Sequence, residues 1–424
     1  MQYLKSICDI HHQVRSRFRS IVTMATRTRV LSCDPSSISF PTADPDVTDK
    51  QTLEALRDAA SLLSGQQVVA FPTETVYGLG ALALDATAAA RIFSTKGRPA
   101  DNPLIVHVSS EDMLHRLLPK SYDLPRSYEI LMKHFWPGPL TLLFPTDSSL
   151  VPSIITANQP TVAVRMPSHP VARALIAIAN APIAAPSANS SGKPSPTRAE
   201  HVFQDLEGKL DLILDGGPCD VGLESTVVDG LGIDCAVRVL RPGGVTVEDI
   251  EKVLRQDWQD SNAPPRVLVH RRDYRDEAME LAPTTPGMKY RHYSPSVPVI
   301  LLHTISSPSP GSQVFSMTSL CSSLKARFPG VEDVHVGVLA PSDSPVLTGL
   351  PDGLGISWHL HPLGAISEPS VTAQRLFDGL LTLERAGVDI MIIEEITEER
   401  EGLAVMNRVR KAAGESVWLQ SDAL

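Results

Sequence analysis

The sequence predicts an α/β protein of two domains joined by a proline-rich linker. Three observations carry that reading. A chain of 424 residues exceeds what one core usually serves, at about 150 residues per domain. Short apolar runs alternate with segments whose apolar residues recur every three or four positions, as strands interleaved with helices do. Between residues 262 and 297 that periodicity stops, and Pro264, Pro265, Pro283, Pro286 and Pro295 accumulate. The expected division is a basic, disordered extension over 1–48, a first domain over 49–257, a linker over 258–297 and a smaller Rossmann-like α/β domain over 298–424.

The first domain opens on a helix: Leu53, Leu56, Ala60 and Leu63 recur at helical spacing and Gly65 follows as a terminator. Val68, Val69, Ala70 and Phe71 then read as a buried strand. Asp85 is placed to cap a helix ending at Lys96, and 104–108 is a second apolar run. Further strands are expected at 140–144, 161–165, 212–215, 225–229 and 237–240, with helices near 128–134, 171–179 and 197–206. Gly78 and Gly80 read as turn glycines. Beyond the linker, 299–302, 334–339 and 389–394 read as strands and 371–386 as an amphipathic helix through Leu376, Leu380, Leu381 and Leu383. His359 and His361 share one face of another strand, but no Cys or carboxylate is spaced to complete a metal site, so both read as structural.

The composition, 42% hydrophobic and 20% charged, excludes a collagen, a coiled coil or a wholly disordered chain. With 38 Lys and Arg against 48 Asp and Glu the formal charge is −10, which disfavours gripping nucleic acid or an anionic membrane with a basic body. Cys8, Cys33, Cys219, Cys235 and Cys321 are scattered and form no C-x-x-C pair, so neither a disulfide framework nor a zinc ribbon is supported. A reducing compartment, the cytoplasm, fits. No apolar run approaches the roughly 18 residues that a membrane-spanning helix needs. Lys5, Arg15, Arg17, Arg19, Arg27 and Arg29 against the single Asp9 give the bias of a mitochondrial transit peptide, the alternative being a frayed basic tail. Met24 would be an internal start yielding a second, cytosolic form.

Neither G-x-x-x-x-G-K-[ST] nor G-x-G-x-x-G after a strand occurs, so any nucleotide must lie in another cradle. Polar constellations instead follow the strands. Thr73, Glu74 and Thr75 stand in a turn opened by Pro72, where a solvated acid in a structural turn is the alternative. Lys96 and Arg98, two apart in a Gly- and Pro-broken segment with Asn102 and His107, can converge on one phosphate or carboxylate. Arg165 closes an apolar strand, where a guanidinium needs a ligand or an internal partner. Ser187 and Asn189 lie in a Ser- and Gly-rich run whose amides could form an anion nest, a low-complexity loop being the plainer reading. Ser225 and Arg241 complete the set.

In this order the segments resemble the YrdC-like threonylcarbamoyl-adenylate synthases in their long, two-domain form. The resemblance runs from Gln66 to Gly244, through the linker motif from Pro286 to Pro295, to the segment from Gly402 to Ala413. It implies a twisted mixed sheet around a large concave pocket. It also implies the joining of L-threonine, bicarbonate and ATP, with Mg²⁺ arriving on the triphosphate, into threonylcarbamoyl-AMP and pyrophosphate. The product would serve a threonylcarbamoyl transferase complex that modifies the adenosine beside the anticodon of tRNA, with at most transient tRNA contact. By resemblance, Lys96, Arg98, Ser187 and Asn189 are the catalytic tetrad. Thr75, His107, Arg165 and Ser225, with the backbone of Ala185, take threonine. Arg98, Asn102, Thr161, Ser187, Ser195, Arg241 and Tyr293 take ATP, and residues 286–295 close over it.

Two other classes stand beside this one. Carbamoyl-phosphate-dependent carbamoyl adenylation normally comes with Cys-rich zinc modules, which the scattered cysteines do not supply. An RNA-binding module would need a local basic patch around Lys96, Arg98, Lys193, Arg198 and Arg241.

Overall fold

The structure is a computed structural model and describes residues 27–259, 263–276 and 292–420. The targeting expectation, apart from Arg27 and Arg29, and the linker residues 277–291 lie outside the described residues.

The strands of the first domain are β1 (Arg29–Ser32), β2 (Ile38–Ser39), β3 (Asp46–Val47), β4 (Val69–Phe71), β5 (Gly78–Leu82), β6 (Ile105–His107), β7 (Leu140–Pro145), β8 (Thr161–Arg165), β9 (Ile183–Ala184), β10 (Leu212–Asp215), β11 (Thr226–Asp229), β12 (Val237–Arg241) and β13 (Val267–Val269). Apart from the small β2–β3 ladder they form, among the described residues, one eleven-stranded sheet in the order β1-β10-β4-β5-β9-β6-β8-β7-β11-β12-β13. Pairing is mixed: β6 and β8 run parallel, β5 and β9 antiparallel. This is the expected twisted mixed-sheet α/β class.

Helix Lys50–Ser64 shows how the sequence sets an element. The Asp49 side chain accepts from the Thr52 amide at 2.7 Å and caps it, and Thr52, Ala55, Leu56, Ala59, Ala60 and Leu63 are its buried stripe. Leu56, Leu63 and Phe71 are fully buried, and each such side chain contributes about 1.5–3 kcal/mol of burial.

Three expectations are corrected. Residues 29–48 are not a disordered extension: β1 pairs in parallel with β10, Arg29 opposite Leu212, and sits at the sheet edge. The linker does not begin at 258, because β13 pairs with β12 and ends the sheet on the other side. Gly78 and Gly80 are not turn residues but part of β5. A Cβ at Gly80 would stand 2.5 Å from the Phe71 ring and 2.8 Å from Ile183, so glycine there permits close packing between strands.

The second domain contains β14 (Val299–His303), β15 (Val314–Phe315), β16 (Val334–Ala340), β17 (Ile356–Pro362), β18 (Ile390–Glu394) and β19 (Glu415–Leu419). They form a parallel sheet in the order β15-β19-β14-β18-β16-β17, a Rossmann-like arrangement. His359 and His361 lie on β17 as expected, His359 facing His335 at 2.9 Å. Helices Pro369–Arg385 and Glu401–Ala412 pack together and turn apolar residues towards the first domain. Val76, Leu223 and Tyr293 join Leu376, Phe377, Val405 and Met406 in one buried cluster. Arg198 pairs with Asp378 at 2.6 Å and Arg385 with Glu200 along the same seam. Gly222, at φ +72, comes so close to the second domain that a Cβ would lie 2.4 Å from the Gln374 backbone.

Candidate active site

Strand direction brings the site together. His107 ends β6, Arg165 ends β8, Arg241 ends β12 and Ser225 immediately precedes β11. With β7 antiparallel to β8 and parallel to β11, and β12 antiparallel to β11, all four reach the same edge of the sheet. Lys96 reaches that edge from the last turn of helix Ala86–Lys96, which Asp85 caps as expected. The result is a cavity of about 660 Å³, the space at its open mouth included. Its wall includes Thr75, Lys96, Arg98, His107, Arg165, Ala185, Ser187, Asn189, Ser225, Arg241 and Tyr293.

At one end Arg165 donates to the Thr75 hydroxyl at 2.8 Å, and Thr75 shares a 2.7 Å hydrogen bond with Thr73. Glu74 lies 3.8 Å from the Arg165 guanidinium, too far for a good hydrogen bond. Arg165 therefore has the internal partner that its burial demands and still faces the cavity. His107, paired opposite Arg165 in the ladder, is held well below the ordinary imidazole range by burial and then by that cation. It is neutral at pH 7, with Nδ1 3.2 Å from the Ile105 carbonyl.

At the other end Arg241 donates to the Ser225 carbonyl at 2.9 Å and to its hydroxyl at 3.2 Å. Burial lowers Arg241 to about 10. Tyr293 enters from the linker at φ +66 and is 1% exposed, packed on Phe377 at 5.1 Å between centroids. Its neighbours are pinned on both sides: Ser294 donates to the Gly192 carbonyl at 2.9 Å, and the His292 amide to the Lys411 carbonyl at 3.3 Å.

Lys96 donates to the carbonyls of Ser187 and Asn189 at 2.5 and 2.6 Å. Burial and then Arg98 push this ammonium down to about 7, while the two acceptors favour its charged form. The Ser- and Gly-rich run is thus not the expected anion nest. The amides of Ala188, Asn189, Ser190, Ser191 and Lys193 are all engaged within the protein, and the loop turns carbonyls to Lys96 instead.

Not every expected residue reaches the wall. Ser195 is fully buried and donates to Glu224 at 2.7 Å. Thr161 begins β8, roughly 13 Å from Arg165 at the rise of an extended strand, and Asn102 precedes the neighbouring strand at that same far end. Nor do the residues expected to form a basic patch make one at the described surface: Lys96 and Arg241 are buried, and Lys193 and Arg198 are paired with Asp205 and Asp378. Sequence reasoning assigned no role of their own to Glu224 or Arg408, and it placed His292 only within the closing segment 286–295. Glu224 carried a faint signal, a carboxylate beside Ser225 before a strand. Arg408 carried none, since its partner is 184 residues away.

A relative from Schizosaccharomyces pombe called threonylcarbamoyl-AMP synthase is 41% identical over 91% of this chain and 97% of its own length. The chain belongs to the threonylcarbamoyl-AMP synthase family. It is an enzyme of the nucleotidyl-transfer type. A Pyrococcus abyssi synthase is 44% identical over 85% of this chain and 94% of its own. Residues 61–243 match the Sua5_yciO_yrdC family profile, described as telomere recombination, and residues 245–414 match the C-terminal domain of threonylcarbamoyl-AMP synthase. The crystal structure of P. abyssi Sua5 complexed with L-threonine superposes with a TM-score of 0.70 at 37% identity, covering 93% of this chain and all of that one. In this chain the wall of the cavity is drawn from the first domain and, through His292 and Tyr293, from the linker. No helix of the described residues is long and apolar enough to cross a membrane.

Proposed function

We propose that the protein makes L-threonylcarbamoyl-AMP from L-threonine, bicarbonate and ATP, releasing pyrophosphate. The observation that carries this reading is a buried wall with Lys96, Arg98, Arg165 and Arg241 facing one cavity in a chain of net charge −10. Such a wall gathers anions that repel one another. Arg165 and Thr75 take the threonine carboxylate and hydroxyl, and neutral His107 adds a polar edge without another charge. The threonine amine and bicarbonate give the carbamate and water. A carbamate oxygen then attacks the α-phosphorus, and the bond to the β-phosphate oxygen breaks. Lys96 and Arg98 stabilise the charge that develops on the phosphates, while Arg241 and Tyr293 hold the nucleotide; Ser225, expected to take threonine, joins Arg241 instead, whose guanidinium donates to its hydroxyl. Asn102 and Thr161, expected to take ATP, stand at the far end of β6 and β8 outside this wall and have no part in the reading.

The wall offers Mg²⁺ no protein cage. Among its described residues Glu224 is the one carboxylate, and its oxygens are already engaged by Ser195 and Arg408. The ion would arrive on the triphosphate and keep its waters. Tyr293 and its neighbours act as a lid that shields the labile adenylate from water. The roles of Met288, Tyr290 and the rest of 286–291 lie outside the described residues. The product serves a tRNA-modifying threonylcarbamoyl transferase complex in the cytoplasm, and in mitochondria if the N-terminal residues act as a targeting signal. Incubation with ATP, L-threonine and bicarbonate should release pyrophosphate only when threonine is present. Retention of RNA without turnover would replace this reading with a binding module.

A further inference from the structure

Glu224 is out of place on a wall built for anions. Its carboxylate stands beside Arg241 and Ser225, where the nucleotide phosphates are proposed to lie, and a bare negative charge there would repel them. The countercharge comes from the second domain. Arg408, on helix Glu401–Ala412, is completely buried and donates through Nε to Glu224 Oε2 at 3.1 Å. A terminal nitrogen of the same guanidinium donates to the carbonyl of Pro242, just after β12. The guanidinium lies 5.9 Å from the Tyr293 ring centroid, and Tyr293 lines the same cavity as Glu224. Glu224 also accepts from Ser195 at 2.7 Å. The Glu224–Arg408 pair therefore brings a loop of the first domain, the lid and the second domain together.

We propose that Arg408 is a positioning residue for the nucleotide end of the site: it neutralises Glu224 from behind and backs the Tyr293 ring, so that Glu224 orients Ser195 without opposing the phosphates. The second domain thereby completes the nucleotide end, because the cation that makes the carboxylate tolerable arrives only when helix Glu401–Ala412 is docked. Burial pushes the Glu224 carboxyl up, but Arg408 and then Arg241, with the Ser195 hydrogen bond, outweigh it and hold the group down to about 2, so the carboxylate stays charged at working pH and its neutralisation depends on those partners. The threonine end has no such dependence, since Arg165, Thr75 and His107 take their partners from the first domain alone.

This inference rests on the reading that the cavity takes ATP, and the test separates the two. Dissociation constants for ATP and, separately, for L-threonine are measured by calorimetry on the full-length protein. Failure of the wild type to bind ATP overturns the reading of the site itself. Given wild-type binding, Arg408→Met should weaken ATP about tenfold or more and leave threonine within about twofold. Adding Glu224→Gln, which removes the charge but keeps an acceptor for Ser195, should bring ATP back to within about threefold of wild type. Unchanged ATP affinity in Arg408→Met overturns the proposal. So does an equal loss of ATP and threonine that Glu224→Gln does not rescue, which would mark Arg408 as a packing residue. If Arg408→Met does not fold, Arg408→Lys decides: a loss of about threefold confined to ATP supports the proposal, and no loss or an unselective one overturns it.

Discussion

The end of the cavity around Arg165 and the end around Arg241 differ in where their parts come from. The first is made from adjacent strands and one turn of a single domain, with His107 and Arg165 paired in the ladder between β6 and β8. The second is assembled from three places: Ser225 and Arg241 on the first domain, Tyr293 on the linker, and Arg408 on the second domain. Formation of the sheet fixes the geometry of the first end, whereas the second exists only when linker and second domain are docked. Binding at the two ends should accordingly respond to different perturbations.

The largest effect is expected where both substrates are used at once. Lys96→Ala should lower kcat by about 10²–10³ at saturating ATP and threonine, the cost of removing a group aimed at developing charge. A change in KM alone would move Lys96 to a binding role and leave the ends unconnected. Arg165→Ala tests the first end. Loss of a charge-assisted carboxylate contact, about 2–3 kcal/mol, should raise the threonine KM roughly 30- to 150-fold and leave ATP affinity within about twofold. An unchanged threonine KM in a folded variant would remove Arg165 from that end. Tyr293→Ala tests the second end and should weaken ATP about tenfold with threonine unaffected, as expected for loss of an aromatic packing contact. Equal weakening of both substrates would erase the contrast.

The smallest effect concerns pH. Folding lowers Lys96 to about 7, so its protonated form is disfavoured by the native site and its charge is lost as pH rises through that value. Bound phosphates restore the proton. ATP affinity should therefore fall several-fold between about pH 6.5 and 8.5, with net proton uptake measurable by calorimetry in buffers of different ionisation enthalpy. Threonine affinity should vary less over that range, because His107 is already neutral and Arg165 stays charged. Equal pH dependence at both ends would count against a special role for Lys96.

The elements most legible in the sequence were those whose own residues decide them. Helix Lys50–Ser64 advertises its cap and stripe, and β8 was expected with the bounds Thr161–Arg165 that it has. Elements decided by neighbours were not legible. β1 is a four-residue, mostly exposed strand inside a basic segment and is held by pairing with β10. β5 carries glycines that only the Phe71 ring explains. The site followed the same division. Polar residues at strand ends could be picked out one by one, but Glu224 and Arg408 acquire a meaning only when two domains bring opposite charges into one dry place.

The pairing of His107 with Arg165 makes the first end a matter of counting. Because side chains alternate sides along a strand, inserting one residue between Thr161 and Arg165 would send the guanidinium to the opposite face and away from Thr75. Lengthening the connection between β6 and β8 within its exposed turn at 147–150 would leave the count untouched. Two changes of the same size in one stretch of chain thus have opposite outcomes: a longer turn alters only the protein's outline, and a longer strand leaves a folded protein without a grip on its amino acid.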